Sequence, residues 1–174
     1  MKPPHKLTVR DYRKDAVTLA QALLGKLLCR KIGRKILKLR ITETEAYYGE
    51  DDTACHAHKG KTERTVIMYE DGGHGYIYLC YGVHWLLNVV SGSKGFPEAV
   101  LIRGVEGFNG PGKLTKQLQI DKSLNKENLA ESKRLWIEND GRRPSFLAAK
   151  RVGIDYASEK DKNRLWRFTV KKHP

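Results

Sequence analysis

The chain has 174 residues, of which 40% are hydrophobic and 30% are charged, and its formal net charge is +13. This composition is typical of one soluble globular domain over residues 1–174, and no segment approaches the roughly 20 unbroken apolar residues of a membrane span. The N-terminus, MKPPHKLTVRDYRKD, contains no apolar stretch of the signal-peptide kind, and the three cysteines have no paired spacing. We therefore expect an intracellular protein with reduced thiols and no membrane contact.

The first predicted element is a helix that ends near residue 25. Apolar residues between Val17 and Leu24 recur at close to helical spacing, and Gly25 is typical of the position after a helix end. Short runs rich in β-branched and aromatic residues follow, bounded by glycine, and they predict strands. These runs are KLLCRKI, KILKLRITETEAYY, GYIYLCYG, WLLNVVSG and EAVLIRGVEG.

The C-terminal third has the composition of helices. LAESKRLWIEND predicts one helix that ends at Gly141, and RPSFLAAKRVG predicts a short one with Ser145 as its N-cap. There is no internal repeat and no long linker. The predicted fold is mixed α/β (α+β), a single domain with a curved, mostly antiparallel central β-sheet flanked by helices.

The charge is unevenly distributed along the chain. Residues 41–112 hold five Lys/Arg against ten Asp/Glu, a net of −5, which leaves +18 for the two flanks. A strongly basic protein of this size usually meets a polyanion, although a basic protein without a nucleic-acid partner has the same composition. Carboxylates repel a phosphate backbone, so the acidic centre indicates a different task.

Glu45 is the first candidate for chemistry. Strand alternation in LKLRITETEA puts Leu37, Leu39, Ile41, Glu43 and Glu45 on one face, so that an apolar face ends in carboxylates. Among the neighbouring aromatic residues, the pKa of such a carboxyl group rises toward that of a general base. The alternative is a strand-end carboxylate paired with one of the many lysines.

Aromatic residues surround this acidic segment in the sequence. Tyr47, His56, Tyr78 and Tyr81 are flat side chains that suit a planar ligand, although tyrosines are also common in half-buried strands. The sequence CHAH around His56 raises the question of a metal, but it lacks the paired spacing of zinc sites. We assign no metal and no cofactor.

Of three further candidate residues, two have two interpretations each. Asn88, inside the apolar run LLNVV, and Arg103, in VLIRGVE, are either buried structural groups or groups that contact a ligand. Lys113 follows the turn NGPG, where exposed backbone amides and the ammonium group could hold a phosphate.

Taken together, these segments resemble the alkyladenine (3-methyladenine) DNA glycosylases. The matching runs are ITETEAYYG…HA, R-x-x-x-M from Arg64, GYIYLCYG…LLNVV, VLIRGVE, NGPGKL…QLQIDKSLN and AAKRVGI…LWRF, in family order from about Leu23 to Phe168. The resemblance implies an enzyme that flips a damaged purine out of duplex DNA and hydrolyses its N-glycosidic bond. It also implies action at the nucleoid of a bacterium or in a eukaryotic nucleus.

The resemblance assigns catalytic and pocket roles to five residues. Glu45 matches the carboxylate that activates water, and Arg103 matches an active-site arginine near the phosphate of the flipped nucleotide. Tyr47, His56 and Tyr78 match the walls that sandwich the flipped base.

Four more residues are expected to contact the base or the duplex. Asn88 matches the residue that clashes with the 2-amino group of guanine, and Tyr81 matches the wedge that fills the gap in the duplex. We assign Arg64 and Lys113 to DNA binding. The expected partner is double-stranded DNA with damaged purines, bound by a monomer.

Two other functions stay open at this point. A metal-dependent nuclease would cut the phosphodiester backbone only in the absence of chelator, and its ligands would be Glu45, Glu50, Asp51, Asp52 and His56. A non-catalytic module could bind distorted DNA through Tyr81 without any chemistry at Glu45.

Overall fold

An open antiparallel β-sheet forms the framework of the computed structural model, which describes residues 3–171. In this range the strands are β1 (His5–Lys6), β2 (Leu27–Ile32), β3 (Lys35–Tyr47), β4 (Gly75–Cys80), β5 (His84–Ser91), β6 (Glu98–Val105), β7 (Phe108–Asn109), β8 (Leu135–Asn139), β9 (Phe146–Ala149) and β10 (Arg167–Val170). The helices are α1 (Val9–Tyr12), α2 (Ala16–Leu23), α3 (Pro111–Gln117) and α4 (Glu159–Lys162). The predicted fold class is therefore confirmed. None of the helices between residues 3 and 171 has the length and apolarity that a membrane crossing requires.

The strand order is β1-β8-β2-β3-β6-β5-β4, with β9 and β10 attached to β3 and β7 attached to β6. The long strand β3 pairs with β2 along its first half. Its second half lies between β6 on one side and β10 on the other, so that Glu43, Thr44 and Glu45 have a partner strand on each side. This arrangement removes the end of β3 from solvent and fixes the position of its carboxylates.

The five predicted strands and the first predicted helix are confirmed. The strands correspond to β2, β3, β4, β5 and β6, and the helix corresponds to α2. Asp15 caps α2 by accepting a 2.9 Å hydrogen bond from the Thr18 amide, and Gly25 follows the helix with a φ of +78°. Glycine adopts this left-handed conformation without the steric cost of a Cβ.

The two helices predicted for the C-terminal third are wrong. LAESKRLWIEND contains β8, in which Leu135 and Ile137 alternate into the main core while the strand pairs with β2 and β1. RPSFLAAKRVG contains β9, which pairs with β10, and Phe146 packs edge-to-face on Phe168 at 5.6 Å. The Ser145 carbonyl accepts from the Lys171 amide instead of capping a helix. Strand pairing and burial override the helical propensity of both segments.

The single face predicted along β3 is also wrong, because a β-bulge interrupts it. The register with β6 shifts between Ile41 and Glu43 and again between Glu43 and Thr44. As a result Ile41 and Ala46 lie in the main core, whereas Glu43 and Glu45 both point to Arg103. Bulges of this kind re-aim side chains next to functional sites.

Candidate active site

A cavity of about 660 Å³ opens where the second half of β3 meets β4, β5 and β6. This volume lies within the range of small-molecule sites in proteins. The sequence-predicted residues that line it are Tyr47, His56, Arg64, Tyr78, Tyr81, Asn88, Arg103 and Lys113. The fold thus brings together every predicted site residue except Glu45, which lies behind the wall.

Glu45 is fully buried, and its carboxylate is held on both oxygens. Oε1 accepts a 2.7 Å hydrogen bond from the Val152 amide, and Oε2 accepts a 2.8 Å hydrogen bond from the Tyr47 hydroxyl. Both donors line the cavity, so the carboxylate lies directly behind them. Burial raises the pKa of Glu45, and the charge of Arg103 and the two hydrogen bonds oppose this rise.

Arg103 lies between two carboxylates. Its Nε is 3.5 Å from Oε1 of Glu43 and 3.5 Å from Oε1 of Glu45, which is an ion-pair distance. The same nitrogen makes no hydrogen bond to any residue of the described chain. Arg167 adds a 3.0 Å contact to Glu43. Glu43 therefore pairs with two arginines, whereas Glu45 pairs with Arg103 and is also hydrogen-bonded to the cavity wall.

The aromatic side of the cavity is built around His56. The His56 ring packs against Tyr78 with centroids 4.7 Å apart and an interplanar angle of 70°. Its Nδ1 is 2.8 Å from the Tyr76 hydroxyl. A 3-10 turn, His56–Lys59, carries the histidine, and the buried Ala57 anchors this turn in the protein. Burial, together with the charges of Arg64 and Lys59, lowers the pKa of His56 to about 4, so the ring is neutral at pH 7.

Asn88 is buried on the strand next to this wall. It pairs with Tyr76 in the register of β4 and β5, and its Nδ2 donates a 3.1 Å hydrogen bond to the Tyr76 carbonyl. The amide side chain therefore has a fixed orientation while it lines the cavity. Both interpretations of this residue, as a core amide and as a cavity group, describe part of what it does.

Tyr81 stands at the turn between β4 and β5 and is 92% exposed. It begins a three-residue loop in which its φ of +50° and the φ of +67° at Gly82 are both left-handed, a conformation that a non-glycine residue adopts rarely. Such a large apolar ring in solvent at the mouth of a cavity has no packing role.

Arg64 and Lys113 occupy different parts of the rim. The Arg64 guanidinium lies 4.7 Å from the Tyr78 ring centroid, and its Nε donates a 3.1 Å hydrogen bond to the Tyr76 hydroxyl, so this exposed rim residue also contacts the aromatic wall. Lys113 lies in the first turn of α3, where the predicted NGPG turn leads into a helix. Both positions are compatible with contact to DNA, and that contact stays a prediction.

Sequence reasoning missed three residues of the site. Tyr76 is not among the site residues predicted from the sequence, although its i, i+2 spacing from Tyr78 places the two on one face of a strand. Val152 acts through its backbone amide, and the buried Arg151 contacts Tyr47 from behind. These last two lie more than 100 residues after Glu45, and no local pattern connects them to it.

The carboxylates that a metal-dependent nuclease would need do not converge. Asp52 is paired with Arg151, and Glu50 accepts a hydrogen bond from the Tyr69 hydroxyl. Within residues 3–171, no three His, Cys, Asp or Glu side chains form a group that could hold a metal ion.

Comparison with known proteins identifies the family of this chain. The sequence pattern of the methylpurine-DNA glycosylase (MPG) family matches residues 10–109 and 106–174, which is nearly the whole chain. The chain belongs to the methylpurine-DNA glycosylase family. The members of this family are DNA glycosylases, whose substrate is DNA. Membership confirms the resemblance that the motifs of the chain show.

Individual relatives lead to the same family. A protein of Borrelia garinii subsp. bavariensis named "Putative 3-methyladenine DNA glycosylase" is 46% identical over 173 residues, covering 92% of this chain and 93% of that protein. Relatives with the same name in Psychrobacter cryohalolentis and Methanocella arvoryzae are 42% and 39% identical, and each alignment covers 94% of this chain and 91% of the relative.

Proposed function

We propose that this family member turns a damaged purine out of duplex DNA and hydrolyses its N-glycosidic bond, leaving an abasic site. The observation that carries the proposal is the buried carboxylate of Glu45, hydrogen-bonded to two residues of the wall of a 660 Å³ aromatic cavity. Flat rings suit a planar base, and stacking on them contributes roughly 1–3 kcal/mol per base.

In the proposed reaction a water molecule attacks C1′ of the sugar while the C1′–N bond breaks. The electron pair of that bond leaves with the base, and Glu45 accepts the proton of the water. Its negative charge also stabilises the oxocarbenium-like sugar. Each carboxylate oxygen has a second lone pair after accepting from Tyr47 or Val152, so the group can still bind water. A cationic base such as 7-methylguanine becomes neutral as it leaves and needs no acid.

Base recognition falls to the aromatic walls and to Asn88. Tyr47 on one side and His56 with Tyr78 on the other would enclose the flipped base. Because His56 is neutral at pH 7, it does not repel a cationic base as a charged imidazolium would. The fixed amide of Asn88 would clash with the 2-amino group of guanine and so disfavour that normal base.

We assign the opening of the duplex to Tyr81 and the binding of DNA to the basic segments on either side of residues 41–112. Flipping a nucleotide costs a few kcal/mol, less at a damaged pair, and a ring inserted into the duplex offsets part of that cost. Tyr81, at 92%, is the most exposed of the aromatic residues that line the cavity. Arg64 and Lys113 at the rim would contact phosphates. The net charge of +18 on the segments before residue 41 and after residue 112 would provide affinity for DNA without sequence preference.

The test is single-turnover base release with EDTA present, from a duplex that contains one hypoxanthine and from a methylated duplex. Wild type, Glu45→Gln and Glu43→Gln are compared. Glu43→Gln is the matched control. Glu43 lies two residues before Glu45 and contacts the same Arg103, but it makes no hydrogen bond to Tyr47 or Val152. We expect release by wild type and by Glu43→Gln, and a loss of at least 1,000-fold in Glu45→Gln with DNA binding retained.

Two results would contradict the proposal. Tight DNA binding without base release by wild type would indicate a non-catalytic binder of distorted DNA. Cutting of the phosphodiester backbone in a parallel reaction without EDTA, but not with it, would indicate a nuclease.

A further inference from the structure

The ion pair between Arg151 and Asp52 is the most completely buried one within residues 3–171. The two side chains are 0% and 1% exposed, and they form a two-pronged contact, with Nη1 2.6 Å from Oδ2 and Nη2 2.8 Å from Oδ1. Nη1 also donates a 2.9 Å hydrogen bond to the Ala46 carbonyl. Removing two charges from water costs several kcal/mol per ion, which only such close geometry offsets.

This pair lies directly behind the part of the cavity wall that Tyr47 and Val152 form. The Arg151 guanidinium is 5.0 Å from the ring centroid of Tyr47 and 5.1 Å from that of Trp166. Tyr47 lines the cavity and Arg151 does not, so the guanidinium contacts the ring from the side away from the cavity. The residue after Arg151 is Val152, whose amide donates to Glu45. Both hydrogen bonds to the Glu45 carboxylate therefore come from residues that Arg151 fixes.

We propose that Arg151, held by Asp52, is a positioning residue of the glycosylase reaction, which keeps Glu45 ionised and correctly oriented through Tyr47 and Val152. The inference rests on the proposed function, since it concerns how Glu45 activates water. Arg151 touches neither the cavity nor the reacting atoms. Its contribution is geometric, through two hydrogen-bond donors, and electrostatic, through one buried positive charge.

The electrostatic part determines how activity depends on pH. The charged and titratable groups that face Glu45 are Arg103 on β6, Glu43 and Tyr47 on β3, Arg167 on β10, and Arg151. Burial raises the pKa of Glu45, and the charge of Arg151 is one of the groups that lower it. Without Arg151 that pKa rises further, so the carboxylate is protonated, and activity is lost, at a higher pH.

The experiment measures single-turnover release of 7-methylguanine from a methylated duplex between pH 5 and 9. This base leaves without protonation, so the acid limb of the profile reports the carboxylate. The variants are Arg151→Met, Arg151→Lys and the double variant Asp52→Asn/Arg151→Met. The control is Arg164→Met, because Arg164 also pairs with an aspartate, Asp161, and stacks on Trp166 at 4.3 Å but does not reach Tyr47.

We expect Arg151→Met to lower the plateau rate at least tenfold and to move the acid limb up by half a pH unit or more. Arg151→Lys retains the charge and should restore the limb but not the plateau, because lysine cannot reproduce the planar two-pronged contact. The double variant removes both charges and leaves no unpaired buried carboxylate. It tests whether Arg151 positions Tyr47 and Val152, even where Arg151→Met does not fold. We expect it to lower the plateau rate and to move the acid limb of the pH profile little.

The inference is overturned if folded Arg151 variants keep the plateau and the acid limb of wild type, or if Arg164→Met causes the same losses. An absence of base release by wild type is a separate outcome, since it contradicts the proposed function itself and the inference with it.

Discussion

The hydroxyl of Tyr76 lies 2.8 Å from Nδ1 of His56 and accepts a 3.1 Å hydrogen bond from Nε of Arg64. Because the oxygen accepts from Arg64, its own hydrogen can be donated to Nδ1, which leaves the imidazole proton on Nε2. The Tyr76 carbonyl also accepts from Asn88. One strand position thus orients three residues of the cavity.

Tyr76→Phe should reduce the excision of neutral bases more than that of cationic ones, because only a neutral base needs a proton or hydrogen bond as it leaves and the Tyr76 hydroxyl holds His56 with its proton on Nε2. The change removes the hydroxyl that orients His56, and a hydrogen bond of this kind contributes about 1 kcal/mol. We expect the rate of hypoxanthine release to fall roughly fivefold to tenfold, whereas 7-methylguanine release should fall less than threefold. Single-turnover kinetics on the two duplexes measure the ratio.

The matched control is Tyr78→Phe. Its hydroxyl makes no hydrogen bond to residues 3–171, and its ring packs against the same histidine. Equal effects of the two substitutions on the hypoxanthine rate would contradict the role of the Tyr76 hydroxyl.

His56 should make folding stability depend on pH between about 6.5 and 4. Burial lowers its pKa to about 4 in the folded protein, against about 6.5 in the unfolded chain. As pH falls through this window, the unfolded chain binds a proton that the folded protein does not, so stability decreases. The full shift corresponds to roughly 3 kcal/mol, and partial exposure of the ring reduces that value.

Urea unfolding of wild type and His56→Gln at pH 7.5, 6.0 and 5.0 measures this dependence. The difference between the two proteins isolates the histidine, because Glu45 and Glu98, whose pKa values are raised by burial, are present in both. Wild type should lose stability relative to His56→Gln as pH falls. Parallel pH profiles would mean that the histidine is not buried in its neutral form.

The strands around the site were predictable because their sequences satisfy a local rule. GYIYLCYG and WLLNVVSG are rich in residues that favour strands and are bounded by turns, and they form β4 and β5. The sequences of β8 and β9 satisfy helical rules equally well, and only their partners β2 and β10 decide the outcome. Long-range pairing overrides local propensity wherever an edge strand needs a partner.

The site likewise contains residues that a local sequence pattern identifies and residues that only long-range contacts bring there. Glu45, Tyr47 and His56 lie within one short segment and could be recognised together. Val152 and Arg151 contribute through a backbone amide and a buried charge, and neither chemistry has a sequence signature. The bulge in β3 was also unpredictable, since it arises from pairing with β6.

Tyr81→Ala should impair excision from duplex DNA but not from single strands. The exposed ring has no packing role to lose, so the folded protein should be unaffected. We expect at least a tenfold lower rate of base release from a methylated duplex, and less than a twofold change on a methylated single strand, where no gap needs filling. Val83→Ala, in the same turn and 68% exposed, is the control. Equal losses on both substrates would contradict the wedge role.

Gly112 and His84 should be coupled across the cavity mouth. A Cβ at Gly112 would lie 2.8 Å from Cγ and 3.0 Å from Cβ of His84, which is the near end of that side chain and cannot swing away freely. Overpacking of this kind costs about 1–3 kcal/mol, whereas alanine improves the helical propensity of α3 by roughly 1 kcal/mol at most. Gly112→Ala should therefore lower the free energy of unfolding by about 1 kcal/mol.

A double-mutant cycle with His84→Ala separates the two effects. His84→Ala removes the contact at 2.8 Å but keeps the Cβ at 3.0 Å, so Gly112→Ala in that background should destabilise less, with a coupling of about 1 kcal/mol in urea unfolding. Because β5 begins at His84, directly after the turn that carries Tyr81, Gly112→Ala alone should also weaken duplex binding. Additive effects of the two substitutions would show that α3 and the wedge turn are not in tight contact.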